Sequence, residues 1–396
     1  PKRKEAARSG MPATAFISLA LLGLVPLSYR CDERAVWLVL PAYLLLFALL
    51  ETALGAEHDP PQRARSQAIA RLPLWLYILA QLSVTAWGMA EAAESESLAG
   101  RIGLALATGI AAGIFGMLAA HEMIHRRNRA ERLLGLAMLA GVSYLHFRIS
   151  HLYGHHRRAA TSEDPATARK GEGAYRFLLR SIAGQWTEAW RFEQVRSRRG
   201  RWPWLANRVY WYTAVSIAIY LAIGAGLGVR AVVFQLTQSA VAILILELFN
   251  YVAHYGLERR VLADGRAAPL EAAHSWNATR RFDAWALHNG GYHSHHHRRP
   301  STAYQELCCE PGAPELPLGL GGSILVALVP PLWRRLMNPR VEYWAARPSQ
   351  RRPDDVQRRQ RPHELSASAA PPALRHRRYS QATGRSAGCS PGNTPR

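Results

Sequence analysis

Six apolar runs, each bounded by polar or charged residues, limit what this chain can fold into more than any other feature of its sequence. They occupy residues 13–29, 35–56, 72–93, 102–120, 209–229 and 231–250. A helix needs about 20 apolar residues to cross the hydrocarbon core of a bilayer, so the first run is marginal and the second is secure. Helices satisfy the backbone hydrogen bonds of such segments internally. The sequence therefore predicts an all-α, polytopic membrane protein with about six transmembrane helices.

The charges around these runs predict which of their ends face the cytoplasm. Arg63, Arg65 and Arg71 lie between the second and third runs, whereas the connector 91–100 contains three glutamates and no basic residue. Lysine and arginine are enriched in cytoplasmic loops, and the amino terminus is also basic, so we expect the fourth run to end in the cytoplasm. The last two runs form a hairpin that returns the chain to the same side. We expect a multi-pass protein of the bacterial inner membrane.

The remaining segments are expected to stay on the cytoplasmic side. Residues 133–147 are too short to cross and predict an interfacial or re-entrant helix, and residues 323–333 predict another interfacial segment. The polar segment 157–208 combines arginines with tryptophans, which suits a position against lipid headgroups. We divide the chain into an integral-membrane domain, 1–348, and a disordered Arg/Pro/Ser-rich tail, 349–396, which has almost no large apolar residues.

Histidines gather at four places next to the predicted cytoplasmic ends of the spans. The nine that we favour as metal ligands are His121, His125, His151, His155, His156, His254, His293, His296 and His297. Residues four apart share one face of a helix, so we expect His121 and His125 to reach one ion, and His151 and His155 to do the same. His156 points about a third of a turn away, which allows one helix to serve two metal positions.

Nine neutral imidazoles exceed the needs of one ion and predict a pair of metals. Imidazole suits zinc, copper, iron and nickel, so the ligand type does not choose among them. His-Glu-x-x-His at 121–125 is also a zinc protease pattern, but catalytic zinc normally takes three protein ligands. We place His295 on another face and outside the ligand set. We expect structural or supporting roles for His146, His274 and His288, solvated positions for His58, His363 and His376, and no assigned role for Asp164.

The net charge of +21 does not predict nucleic-acid binding, because its distribution fits a membrane protein. Eleven arginines and only three acidic residues lie between 347 and 396, and many other basic residues border the apolar runs, where they meet anionic lipid. The four cysteines form no C-x-x-C pair that could hold an electron-transfer iron. No G-x-G-x-x-G fingerprint follows a predicted strand. Any electrons must therefore come from a separate carrier, for which the basic segment 191–208 is a candidate docking site.

Several motifs together carry a resemblance to a known family. They are H-E-M-I-H at 121–125, H-L-Y-G-H-H with E-D-P at 151–165, N-Y-V-A-H-Y-G-L at 250–257, H-S-W-N at 274–277 and H-S-H-H-H at 293–297. From about residue 12 to 345 the chain resembles the membrane-bound alkane 1-monooxygenases, within the membrane fatty-acid desaturase and hydroxylase group. The resemblance implies two iron ions and O2-dependent hydroxylation of a terminal methyl group. It also implies electrons from NAD(P)H through a reductase and a rubredoxin or ferredoxin.

The chain departs from the family pattern at three positions beside the histidines. Ser150 and Ala253 stand where the family commonly has glutamate, and His295 stands where it commonly has aspartate. These changes remove carboxylates that would orient ligating imidazoles, although they remove no proposed ligand. The sequences H-S-H-H-H and P-P-L-W, at 330–333, are also similar to the xylene monooxygenase relatives.

The substrate is expected to be a hydrophobic small molecule that enters from the lipid between spans. Tyr43 and Phe47 are four residues apart in the second span and are candidate walls of a substrate channel; ordinary core packing is the alternative. Within the same chemistry, an aromatic methyl hydroxylase and a fatty-acyl desaturase or hydroxylase remain alternatives. A metal transporter is disfavoured because the spans contain almost no ionisable residues besides Glu51 and Glu247.

Overall fold

The structure is a computed structural model that describes residues 13–56, 67–198, 200 and 202–347. Within these residues it is helical, and its β-structure is confined to isolated bridges. The predicted disordered tail, 349–396, lies outside the described residues. An all-α fold is therefore confirmed for the part of the chain that carries the predicted site.

Sixteen α-helices make up the described chain. In order they are α1 Ile17–Cys31, α2 Val39–Leu54, α3 Gln67–Glu94, α4 Leu98–Ala111, α5 Met117–Ile124, α6 Arg129–Gly141, α7 Phe147–Ile149, α8 His156–Arg158, α9 Ala174–Ser197, α10 Pro203–Ala206, α11 Arg208–Leu227, α12 Val229–His254, α13 Arg281–Ala286, α14 His293–Arg298, α15 Gly319–Ala327 and α16 Pro330–Ala345. Short 3₁₀ segments lie at Ala13–Phe16, Ala35–Leu38, Ala272–His274 and Tyr304–Glu306. Two π-helical segments, Ala112–Gly116 and Ser150–His155, continue directly into α5 and α8.

Five helices are long and apolar enough to cross a membrane. They are Ala35–Leu54, Ile69–Glu94, Leu98–Ile124, Arg208–Leu227 and Val229–His254. They correspond to five of the six predicted runs. The first run instead forms α1, which has 15 residues with Pro26 inside it and is shorter than a full crossing requires. The described residues thus contain five helices that could cross a membrane and one short apolar helix, as an integral membrane protein requires.

The two hairpins of spans have their turns at the same end of the molecule. Glu96, between α3 and α4, pairs with Arg230, at the start of α12, with 2.9 Å between the charged atoms. Arg30, at the end of α1, pairs in the same way with Glu91 at 2.8 Å. The opposite ends of α5 and α12 must therefore point together to the other end, where their histidines lie.

Small residues let α4 and its π-helical extension pack tightly against α12. A β-carbon added at Gly109 would lie 2.6 Å from the backbone oxygen of Gln238, and one added at Gly113 would lie 2.7 Å from the β-carbon of Ile245. Both distances are well inside van der Waals contact. Small residues at such contacts let the backbones of membrane helices approach closely.

The short apolar stretches form helices that are too short to cross a bilayer. Residues 133–147 contribute to α6, whose 13 residues extend only about 20 Å. The side chain of Asn128 caps this helix by accepting a hydrogen bond from the Ala130 amide at 2.8 Å. Residues 323–333 are divided between α15 and α16, because Pro330 fits the first turn of a new helix. The position predicted for these residues at the membrane interface stays a prediction.

The tight α4–α12 contact gives a testable prediction about stability. Replacing Gly113 with valine forces two helices apart, and we expect this overpacking to destabilise the fold by about 1–3 kcal/mol. Thermal unfolding of the detergent-purified protein measures the effect. Gly226→Val is the matched control, because nothing lies within 4 Å of a β-carbon at that position of α11. Equal losses of stability in both variants would contradict this account of the contact.

Candidate metal centre

Nine histidines converge into two groups at one end of the helical bundle. The first histidine group comprises His121, His125, His151, His156 and His296, and the second comprises His155, His254, His293 and His297. In each group every side chain offers one nitrogen, and these nitrogens all lie within 4.8 Å of one another. The nine are the residues that the sequence predicted, and no further histidine, cysteine or carboxylate of the described residues joins either group.

Each group draws on several separate segments of the chain. His121 lies in the last turn of α5, and His125 immediately follows this helix. His254 is the last residue of α12, and the second π-helical segment carries His151 and His155. The helix α14, His293–Arg298, contributes to both groups. The ligands are therefore brought together by the packing of spans rather than by any local motif.

The π-helical segment Ser150–His155 changes how its histidines are shared. We expected His151 and His155 to face one ion because residues four apart share a face of an α-helix. In the structure His151 belongs with His156 in the first group, and His155 lies in the second. The backbone hydrogen bonds of a π-helix join residues five apart, so positions i and i+5 lie closer to one side than they do in an α-helix. The expected pairing is therefore wrong, whereas the expectation that one helix serves two metal positions agrees with this grouping.

The ring nitrogens lie at the mutual distances that a shared metal ion would require. In the first group the Nε2 atom of His156 lies 2.9 Å from that of His151, 3.2 Å from that of His125 and 3.2 Å from that of His296. In the second group, Nε2 of His293 lies 2.9 Å from that of His254 and 3.0 Å from that of His297. Metal–nitrogen bonds of about 2.0–2.1 Å place neighbouring ligand atoms about 3 Å apart.

Hydrogen bonding alone does not account for this convergence. The Nδ1 atom of His155 lies 2.8 Å from Oδ2 of Asp164, so the single proton of a neutral imidazole is used there. The Nε2 atom of His155 then carries a lone pair and no proton. This atom lies 3.2 Å from Nε2 of His297. Nε2 of His121 is buried with no hydrogen-bond partner. Buried lone pairs aimed at a common centre suit a cation.

Burial also keeps these side chains in the form that binds metal. It lowers the pKa of His151, His156, His293, His296 and His297 well below the ordinary value, and repulsion among the neighbouring imidazoles lowers it further. Metal binding requires neutral imidazole, so protons compete weakly with a cation at this site.

Asp164 orients a ligand, a role that the sequence did not assign. Its Oδ2 atom accepts hydrogen bonds from Nδ1 of His155 at 2.8 Å and from Oγ1 of Thr167 at 2.7 Å. Burial alone would raise the pKa of Asp164, but its hydrogen bonds from His155 and Thr167 hold the pKa below its usual value. A carboxylate behind a ligating histidine fixes its tautomer and raises its basicity. In the sequence, the only signal at Asp164 was the Pro165 that follows it, and an Asp-Pro pair is typical of a loop.

A second carboxylate, that of Glu247 in α12, is connected to the segment before His151 through hydrogen bonds. Ser150, where the family commonly has glutamate, donates a hydrogen bond of 3.4 Å to Oε1 of Gln185. The Nε2 group of Gln185 donates in turn to Glu247 at 2.8 Å. Glu247 is fully buried and also accepts hydrogen bonds from Ser181 at 2.6 Å and from Tyr144 at 3.0 Å. The network joins the segment before His151 to the helix that ends at His254.

Glu122 does not occupy the position of a protease general base. Its carboxylate pairs with Arg126, and its Oε1 accepts a hydrogen bond of 3.0 Å from the Tyr304 amide. Arg126 also donates to the carbonyl of Thr302 at 3.1 Å. These contacts tie α5 to residues 301–304 and give Glu122 a structural role, which argues against a His-Glu-x-x-His protease.

The other described histidines lie outside both groups. His295 accepts a hydrogen bond of 3.1 Å from the Cys308 amide, and His274 accepts one of 2.9 Å from the Glu271 amide. Nε2 of His288 lies 3.1 Å from Oγ of Ser18. His146 is also outside the groups, and His58, His363 and His376 lie outside the described residues.

The predicted channel residues belong to a buried aromatic cluster. Tyr43 donates a hydrogen bond of 2.8 Å to the carbonyl of Leu21, and its ring lies 5.9 Å from that of Phe115. The ring of Phe47 lies 4.8 Å from that of Phe282 and 6.5 Å from that of Phe115. Phe115 is in the π-helical segment six residues before His121. The cluster therefore connects the second span to the helix that carries the first group.

A small cavity of about 20 Å³ adjoins the first histidine group. His121, His296 and His288 line it together with Leu118 and Leu287. A space of this size holds about one water-sized molecule. Glu122 also lines the cavity, so imidazole and carboxylate groups there face apolar surface of leucines.

Comparisons with known proteins agree with this arrangement. Residues 97–307 match the fatty acid desaturase family model. The chain is 37% identical over 266 residues to alkane 1-monooxygenase 1 of Pseudomonas aeruginosa, covering 66% of this chain and 69% of that one. It is 33% identical over 348 residues to alkane 1-monooxygenase 2 of the same organism, covering 83% and 91%. It is also 30% identical over 327 residues to the xylene/toluene monooxygenase hydroxylase component of Pseudomonas putida, covering 79% and 84%.

The contact between Asp164 and His155 predicts a selective loss of metal. Asp164→Asn removes the negative charge behind His155, and we expect metal affinity to fall by about 10–100-fold. Competition with a chelator on the purified protein measures this affinity. Glu163→Gln, which neutralises the exposed neighbouring carboxylate, should leave the affinity unchanged. Equal effects of the two substitutions would show that only general charge matters.

Proposed function

Because this chain belongs to the alkane 1-monooxygenase family and is an oxidoreductase, we propose that it hydroxylates a terminal methyl group of an alkane with O2 at a pair of iron ions. The observation that carries the proposal is the division of nine buried imidazoles into groups of five and four. Each group supplies enough neutral nitrogen ligands for one ion. Zinc fits such ligands as well, but it has no redox chemistry to offer an oxidoreductase.

A bound iron pair would supply the oxidising power that an unactivated methyl C–H bond requires. The chain's own residues hold and shield it. His155 is kept in one tautomer by Asp164, so that its Nε2 lone pair faces the second group. Leu118 and Leu287 line the cavity beside His121 and His296 and leave little room for water. Such a wall protects a reactive centre and favours an apolar group at the site.

The substrate is a hydrophobic molecule that reaches the centre from the lipid. The aromatic cluster around Phe115 supports this, because it extends from the second span to within two helical turns of His121. We keep Tyr43 and Phe47 as proposed walls of the path. A movement of Phe47 against Phe282 would be required to open it, because these rings are in contact.

The metal centre is proposed to face the cytoplasm from the bacterial inner membrane. The acidic connector 91–100 lies at the other end of the spans. Its lack of basic residues favours a position on the non-cytoplasmic side of the membrane. The site end carries the exposed residues Arg127 and Arg129 shortly after His125. Anionic lipid at the cytoplasmic surface would favour these residues.

Electrons are proposed to come from a separate rubredoxin or ferredoxin and its NAD(P)H reductase. The docking site predicted at 191–208 is less basic than the sequence indicated, because Arg196 and Arg208 both pair with the carboxylate of Glu193. Arg199 and Arg201 lie outside the described residues. Arg191 and Arg198 are exposed on α9 and immediately after it, and they remain candidates for contact with an acidic carrier.

Hydroxylation of a methyl group on an aromatic ring is a second candidate. It is favoured by the 30% identity to the xylene/toluene monooxygenase hydroxylase component. A fatty-acyl desaturase or hydroxylase is a further alternative suggested by the family model alone. All three reactions would use the same nine histidines.

Metal analysis of single-histidine variants tests the paired centre. The purified protein should contain about two irons per chain, and His155→Ala and His296→Ala should each remove about one, because they belong to different groups. His146→Ala, outside both groups, is the control and should leave the iron content unchanged. A wild-type protein that holds one zinc, no iron and full activity would contradict the proposal.

Product analysis under ¹⁸O2 separates the candidate reactions. A membrane preparation supplied with rubredoxin and its reductase is offered octane, p-xylene and a saturated fatty acid in parallel. We expect octane to give a primary alcohol with one ¹⁸O atom, since the family hydroxylates alkanes. Labelled methylbenzyl alcohol as the main product would favour the aromatic alternative. A double bond with no incorporated oxygen would identify a desaturase instead.

A further inference from the structure

The segment that carries His151, His155 and His156 has little helical structure of its own. It consists of the π-helical residues Ser150–His155 and the three-residue helix α8, after which the chain turns at Ala160 with a positive φ of 60°. Such short and irregular helices are weakly stabilised by their own hydrogen bonds. Something outside the segment must hold its three ligands in place.

The helix α9 is packed along this segment. Gln185 accepts the hydrogen bond of Ser150, and Glu188, one turn later, pairs with Arg158 at the end of α8. One more turn along, the ring of Phe192 lies 5.2 Å from the Arg158 guanidinium. The spacing of three and four residues places all three side chains on one face of α9.

Two glycines allow α9 to pack closely against its neighbours. A β-carbon at Gly154 would overlap the carboxylate of Glu188, so only glycine lets this carboxylate lie against the π-helical segment. A β-carbon at Gly184 would lie 2.6 Å from the β-carbon of Pro165, next to Asp164. Arg180 also donates to the carbonyls of Pro165 and Thr167, each at 3.0 Å. One helix thus contacts both the ligand segment and the loop that orients His155.

We propose that the ion pair between Arg158 and Glu188 is a clamp that holds the ligand-bearing segment 150–158 against α9 and so controls how firmly both histidine groups retain their metals. The inference rests on the proposed function, because it takes the two groups as metal sites. Arg158 and Glu188 are positioning residues. Arg158 follows His156 of the first group by two residues and His155 of the second by three.

The surroundings of the pair distinguish it from an ordinary surface ion pair. The side chain of Glu188 is 9% exposed and that of Arg158 is 31% exposed. Exposed pairs contribute little because water screens them, and the pair between Arg230 and Glu96 at the far end of the spans is of that kind, at 38% and 84%. A surface cavity of about 490 Å³ is lined by Arg158 and Glu188, so the clamp lies at its wall and within reach of solvent ions.

Metal release from the full chain tests the clamp. The purified protein is loaded with Co²⁺ alone, whose visible spectrum reports ligand geometry, and transfer of the ion to a chelator is timed. Glu188→Gln and Arg158→Gln should each release metal about tenfold faster, because changes behind the ligands weaken metal sites by this order. Glu96→Gln is the matched control and should release metal at the wild-type rate.

Double variants decide whether the two residues act as a pair. Arg158→Gln combined with Glu188→Gln should release metal no faster than the worse single variant, since one interaction can be lost only once. Arg158→Glu combined with Glu188→Arg should return the rate to within about threefold of wild type, whereas either reversal alone is expected to be about 100-fold faster. The Co²⁺ spectrum should change in the single reversals and recover in the swap.

The outcomes separate this inference from the proposed function. Two results would overturn the clamp alone if the wild-type chain binds two metal ions. In the first, Glu188→Gln and Arg158→Gln release metal at the wild-type rate. In the second, the effects of these two substitutions multiply in the double variant. If the charge-swapped protein fails to fold, the release rate of the Arg158→Gln, Glu188→Gln double variant still tests whether the two residues act as a pair. A wild-type chain that binds no metal would overturn the proposed function and the clamp together.

Discussion

The convergence of nine imidazole nitrogens is the constraint on which the rest of this structure depends. Buried lone pairs without a partner destabilise a fold, and the histidines come from segments that are far apart in the sequence. The end of α5, the end of α12, the π-helical segment and α14 must therefore all meet at one end of the bundle. Tight packing of α4 against α12 at Gly109 and Gly113 fixes the two spans that carry ligands at their ends.

Around the histidines lies a layer of carboxylates at positions other than 150 and 253. Ser150 and Ala253 occupy positions where glutamates are common, yet Asp164, Glu188 and Glu247 all contact the ligand-bearing segments directly or through one side chain. Two of these three act through α9 or belong to it. A helix that appeared in the sequence only as a polar, arginine-rich stretch thus packs against the segment that carries three of the nine histidines.

The arrangement also explains how a lipid-soluble substrate and a polar metal site can share one small fold. The nine histidines lie at one end of the bundle, while α11 leaves a largely apolar surface exposed along its length. The aromatic cluster of Tyr43, Phe47 and Phe115 lies inside the bundle and extends toward the helix that carries His121. The proposed substrate path and the proposed clamp therefore belong to different helices, α2 and α9.

The amino-acid sequence by itself determined the helical class, five of the spans, the common side of the histidines and the identity of the nine that converge. These follow from local properties: the length of an apolar run, the charges at its ends and the spacing of one residue type. Only the tertiary structure decided which histidines share a group, because the π-helical turn at 150–155 pairs His151 with His156 rather than with His155. It alone revealed the contacts of Asp164, Glu188 and Glu247. Their partners lie 3 to 103 residues away in the chain, and contacts of that kind depend on how helices pack, which no local pattern encodes.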